Sequence, residues 1–221
     1  IRPSNSRAKL RQNPGRRGAA DPRTVGERGR HDGSRGMSQE DSEAGPLAQF
    51  LAEDHRRLDA LLQSAAAQPA QVNREVYDQF RAGLLRHIGM EEKILFPAVL
   101  RWRGGTPLPI AAKLRLDHGA LATLLMPTPT TAILTTIRRL LMDHNVLEEG
   151  PGGVYDLCDQ LAGFDAESLL KDLRAAPSVA VMPHSDSPAV MTTLRRTLER
   201  AGYRMGAEIG RGVPATPSQE S

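Results

Sequence analysis

Beyond residue 46 the apolar positions fall into four stripes of helical period, each interrupted near its middle by a histidine. From about Leu47 to Ala66, the residues Leu47, Leu51, Leu58 and Leu62 step by fours and sevens, and His55 lies on the same face. Gln68-Pro69 closes that segment. The second stripe runs from about Gln71 to Trp102 and carries Phe80, Leu84, Ile94 and Leu95, with His87 and Glu91 one turn apart between them. Pro97 is expected to bend its last turn. After "RGGTPLP", a third helix from about Ile110 to Met126 aligns Leu114, His118, Leu121 and Leu125. "PTPT" ends it. The fourth, from about Thr131 to Glu149, aligns Ile137, Leu141, His144 and Glu148 and stops at "GPGG".

Connectors this short join antiparallel neighbours, so the pattern predicts an all-α fold, an antiparallel up-and-down four-helix bundle. The midpoints of such helices share one height. His55, His87, His118 and His144 are therefore expected to converge inside the core, with Glu91 and Glu148 one turn away on two of the helices. A lone histidine on an apolar face is commonly a hydrogen-bonded core residue, and a lone His-x-x-x-Glu pair is common on solvated helix faces. Six such groups in one core are another matter, because leaving them without a common partner would cost several kcal/mol each. A metal is the simplest partner. Imidazole and carboxylate together suit iron, manganese or zinc, and two carboxylates on facing helices can each bridge two ions. The single cysteine, Cys158, excludes an internal disulfide framework and a Cys-based zinc site, and is read as a packing residue.

The segments "EDHRRLDALL", "RHIGMEEKILFP", "LRLDHGAL" and "DHNVLEEGPGGVY", in that order, resemble the hemerythrin-like, HHE cation-binding family over about Leu47 to Leu161. The resemblance implies a non-haem di-iron centre, oxo- or hydroxo-bridged. It would make His55, His87, His118 and His144 terminal ligands, and Glu91 and Glu148 bridges. Oxygen-carrying members have a fifth histidine, four residues from another on the third helix. Here the flanking positions are Leu114 and Ala122, which cannot ligate. About two coordination positions would then stay open, which favours reaction over reversible oxygen carriage. Asp59, one turn after His55, is an alternative source of the missing ligand. Glu149 is an alternative to Glu148, although ideal helix geometry favours the i+4 position. Asp54, Asp117 and Asp143 each precede a histidine whose ring they cannot easily reach; they are read mainly as boundary residues, some contacting a histidine on a neighbouring helix.

The net charge of +3 is unevenly spread. Residues 1–36 carry ten Lys or Arg against three acids, leaving 19 bases and 23 acids from Met37 onward. That first segment reads as disordered, and folding signals begin after Met37. Either Met37 is the true start or the segment is a basic arm for nucleic acid or anionic surfaces; the former is preferred, and nucleic acid is not expected as a partner. No apolar run is long enough to span a bilayer, so a soluble cytoplasmic protein without a membrane partner is expected.

The expected organisation is thus 1–36 basic segment, 44–163 hemerythrin-like bundle, and 164–221 C-terminal helical extension and tail. After the fourth helix, a short helix from about Val154 to Leu161 is followed by one opening at Asp165, with Asp165 and Ser168 as candidate caps. A last helix starts at Ser187-Pro188 and carries Val190, Met191, Leu194 and Leu198. Its apolar stripe would dock on the bundle or on a protein partner, with docking in cis preferred. His184 is not expected to ligate, and the chain after Tyr203 is expected to fray. The expected function is binding of oxygen, peroxide or nitric oxide at the bundle core, with a redox or sensing role. An enzyme would show peroxide- or nitric-oxide-directed activity; a sensor would act through the last helix. The alternative is a metal-storage or stress-related binding bundle.

Overall fold

The structure, a computed structural model, describes residues 44–68 and 71–205. The expectations for residues 1–36, for Met37 as the start, and for the tail after residue 205 lie outside the described residues. Those described form α-helices joined by turns, with no strand among them. Among them, too, no helix is long and apolar enough to cross a membrane.

Helix α1 spans Pro46–Ala65. It has no side-chain cap of its own, since Gly45 stands at its N-cap; instead Leu47 N and Ala48 N donate to the Asp159 carboxylate at 3.0 and 2.9 Å. A Cβ at position 45 would collide with that carboxylate. Helix α2, Arg74–Met90, is capped by Asn73, whose side chain accepts from Val76 N. The expected second helix is continuous, but not uniform. A π-helical turn at Glu91–Leu95 separates α2 from α3, Phe96–Trp102. Pro97 explains it: proline has no N–H to donate and its ring crowds the carbonyl four residues back, so the helix widens ahead of it. The disturbance falls one turn earlier than a bend at the last turn would. It leaves Leu95 buried and Ile94 half-buried.

Helices α4, Ala111–Leu124, and α5, Thr131–Glu149, lie within two residues of their expected bounds. Thr130 caps α5 through Ile133 N. Helix α6, Val154–Ala162, follows Gly150–Gly153 and a 3₁₀ turn leads from it into α7, Ala166–Arg174. Asp165 does not cap α7 with its side chain; its carboxylate takes the Trp102 indole N–H at 3.0 Å. The last helix, α8, Pro188–Ala201, is capped by Ser187 and ends at Gly202, whose φ of +91° suits glycine. Its apolar stripe docks in cis, with Leu194 and Leu198 buried against the bundle.

The buried apolar residues form two clusters. One holds Leu58, Leu62, Phe80, Leu84, Leu121, Leu124 and Ile137, closed by α8. The other holds Leu47, Leu51, Met90, Leu95, Leu114, Tyr155 and Cys158, closed by α6 and α7. Along α1 the boundary falls between Leu51 and Leu58, along α2 after Leu84, and along α4 between Leu114 and Leu121. Each of those gaps contains a histidine. The polar groups are thus a layer sandwiched between two apolar ones.

Candidate metal centre

Four helices bring the histidines into this layer. His55 comes from α1, His87 from α2, His118 from α4 and His144 from α5, and all four are buried. Glu91 opens the π turn and Glu148 is the penultimate residue of α5; both are 0 % exposed. Two sets of four side chains present donor atoms that converge. His55, His87, Glu91 and Glu148 make one; His118, His144, Glu91 and Glu148 make the other. Both carboxylates belong to both sets.

Each ring shows the same polarity. The Nδ1 atoms face outward to carboxylates: His55 to Glu149 at 2.5 Å, His87 to Asp54 at 2.9 Å, His118 to Glu92 at 2.8 Å, and His144 to Asp117 at 3.5 Å. The Nε2 atoms face inward. His118 Nε2 lies 3.2 Å from His144 Nε2, and His55 and His87 approach with ring centroids 4.3 Å apart. The carboxylates bonded to His55, His87 and His118 fix those rings and leave the inner nitrogen as donor to a metal, whereas His144 Nδ1 faces Asp117 without an aligned hydrogen bond.

Buried carboxylate atoms test whether a cation fits. Glu91 Oε2 lies 3.1 Å from His118 Nε2, and Glu148 Oε1 lies 3.1 Å from His144 Nε2, yet neither oxygen makes an aligned hydrogen bond. Buried acceptors left this way, opposite imidazole lone-pair positions, are the environment a cation satisfies. The residues present therefore fit a metal. Electrostatics agree. Burial works to lower the pKa of His87, but the Glu91 charge and the Asp54 hydrogen bond outweigh it and carry it up to about 10. Burial opposes His118 and His144 in the same way, and carboxylates raise each to about 9: Glu91 and Glu92 for the first, Asp117 and Glu148 for the second. Burial works to raise Glu91, and the facing His87 and His118 hold it well below the usual carboxylate range.

The structure brings together all six expected residues and separates the alternatives. Glu149 is on the Nδ1 side of His55, outside both sets, as i+5 geometry dictates. Asp59 accepts from Gln63 on the exposed side of α1. Asp54 and Asp117 contact histidines of neighbouring helices, whereas Asp143 bonds the Tyr203 side chain. His184 stacks on Tyr77 and stands beside Arg81, far along the chain from the layer; Arg81 itself is buried and clamps the connector through Leu125 O and Met182 O.

Two participants, Glu92 and Tyr155, had no sequence signal strong enough to find them, and a third, Glu149, reads from sequence only as an alternative to Glu148. Glu92 sits beside a stronger candidate, Glu91. Tyr155, 1 % exposed, sends its hydroxyl into the layer, where it donates to Glu91 Oε1 at 2.6 Å. Gly150–Gly153 breaks the helical phase ahead of it, so no periodicity ties it to Glu148. A cavity of about 460 Å³ between α1 and α5 reaches the layer from outside, lined by His55, Arg56, Asp59, Arg138, Met142 and Glu149, among others.

An all-helical bundle with two overlapping His/Glu sets in its core is an arrangement that fits cation binding. Residues 47–151 match the model of the hemerythrin family, described as the Hemerythrin HHE cation binding domain, and this segment is a hemerythrin-like domain. No curated protein and no solved structure matches the chain.

Proposed function

We propose that the chain is a non-haem di-iron protein that takes up oxygen, peroxide or nitric oxide at the His/Glu layer and serves a redox or sensing role. One observation carries this: Glu91 and Glu148 each belong to both four-residue sets, the arrangement two bridged ions require. His55 and His87 would hold one ion, His118 and His144 the other, in an up-and-down run of α1, α2, α4 and α5 that the short connectors support. When bound, the pair of ions supplies redox and Lewis-acid chemistry. The chain supplies the rest. Asp54, Glu92, Asp117 and Glu149 face the outer nitrogens of the imidazoles, the apolar clusters above and below exclude water, and the cavity beside His55 leads from the surface to the layer.

Metal analysis of protein from iron-supplemented cells, read beside its absorption spectrum in air, tests this directly. About two irons per chain with iron charge-transfer bands, both lost in His87→Ala, are expected. Zinc, or variable metal content with no defined redox spectrum, would replace it by a binding or storage bundle.

A further inference from the structure

Tyr155 carries more hydrogen-bonding demand than a phenol can meet. Its Oη lies 2.6 Å from Glu91 Oε1, 3.1 Å from Glu148 Oε2, and 3.3 Å from both His55 Nε2 and His87 Nε2. A phenol donates one proton and carboxylates only accept, so the bond to Glu91 leaves Glu148 facing an oxygen lone pair. The four neighbours are also not arbitrary. They are the four members of the His55 set, each contributing the atom nearest the phenol. Five donor atoms from five side chains therefore crowd one point. Around His118 and His144 the described polar contacts are with carboxylates and with each other, and the Phe96 ring stacks on His118.

The phenol is held there firmly. Tyr155 is in the first turn of α6, between the Gly150–Gly153 turn and Asp159, whose carboxylate caps α1. Asp156 accepts from Gly152 N at 3.0 Å and tightens the same turn. Side chain and backbone both leave it little freedom.

Building on the di-iron reading above, we propose that Tyr155 Oη is a fifth protein ligand to the ion held by His55 and His87, so that the two halves of the centre are unequal. On binding a ferric ion the phenol proton leaves to solvent while the oxygen lone pair takes the metal, with no electron transferred. Hard ferric iron suits an anionic oxygen donor, and tyrosinate is one of the protein ligands that holds iron. With a bridging oxygen, the His55 half would then be filled, and the His118 half would keep the open position for an external ligand. The fifth donor is thus neither the absent histidine nor Asp59, but a residue beyond the fourth helix.

Resonance Raman and visible absorption of the full-length ferric protein test this, alongside iron content. A phenolate-to-iron charge-transfer band with enhanced tyrosine ring modes is expected, shifting when the protein is grown on ring-deuterated tyrosine. Tyr155→Phe should abolish band and modes while keeping about two irons per chain, and Tyr77→Phe should keep both. Iron bound without phenolate modes in the wild-type protein would overturn the ligand role alone, leaving a hydrogen bond to Glu91. Absence of bound iron would overturn the di-iron reading and this inference with it. Should Tyr155→Phe fail to fold, the isotope shift in the wild-type protein decides by itself.

Discussion

At the scale of single residues, the centre is built from pairs: an imidazole that faces inward and a carboxylate that fixes it from outside. Removing the outer member is therefore expected to loosen the inner one without touching it. Asp54→Asn and Glu92→Gln should each lower metal affinity by roughly 10–100-fold in a chelator competition, with the helical circular-dichroism signal unchanged. Protons compete for the same sites. His87 at about 10, and His118 and His144 at about 9, are charged at neutral pH when the layer holds no metal. Loading must displace those protons, so uptake should acidify a weakly buffered solution at pH 7 and affinity should rise with pH. Uptake without proton release, followed with an indicator dye, would show that the rings are neutral beforehand. The six central residues were legible in the sequence because each sits on an apolar stripe whose period a helix preserves. Glu92 was not, and Glu149 was legible only as a rival to Glu148 and not as the partner of His55 Nδ1, because a neighbour in sequence points elsewhere on the helix, and which neighbouring helix stands there is a tertiary fact.

At the scale of elements, one turn governs how the α5 and α6 ends meet. A Cβ at Gly153 would stand 2.6 Å from Glu148 O and 2.7 Å from Gly150 O, and neither backbone atom can move aside cheaply. Gly153→Ala should cost about 1–3 kcal/mol by thermal or denaturant unfolding, with a changed visible spectrum as α6 shifts. An unchanged spectrum together with unchanged stability would mean the turn relaxes freely. Helix bounds were readable to within a few residues from periodicity, prolines and glycines, as α5 shows. The π turn was not, for Pro97 announces a disturbance without saying on which turn the backbone will absorb it. Asp165 misled for a related reason: a good capping residue was captured by the Trp102 indole instead.

At the scale of the whole molecule, the polar layer makes stability depend on what fills it. A metal present at about 100 times its dissociation constant adds roughly 2.7 kcal/mol, so a chelator should lower the melting temperature. The apolar layers hold independently. Leu198→Ala, on the buried face of α8, should cost about 2–5 kcal/mol while metal content stays constant, since that helix closes the cluster away from Tyr155. Bundle class and docking of α8 in cis followed from apolar stripes that had to be covered; what α6 covers did not, because nine residues past a glycine-rich break carry no phase relation to the rest. Residues 47–151 are the part that matches the family model, and α6 begins just beyond them. A transplant cut at that boundary would carry all four histidines of the layer and both shared glutamates into a new host. It would leave behind the Asp159 that secures the first helix and the hydroxyl that reaches Glu91. The smallest portable module of this protein is longer than the domain by which it is recognised.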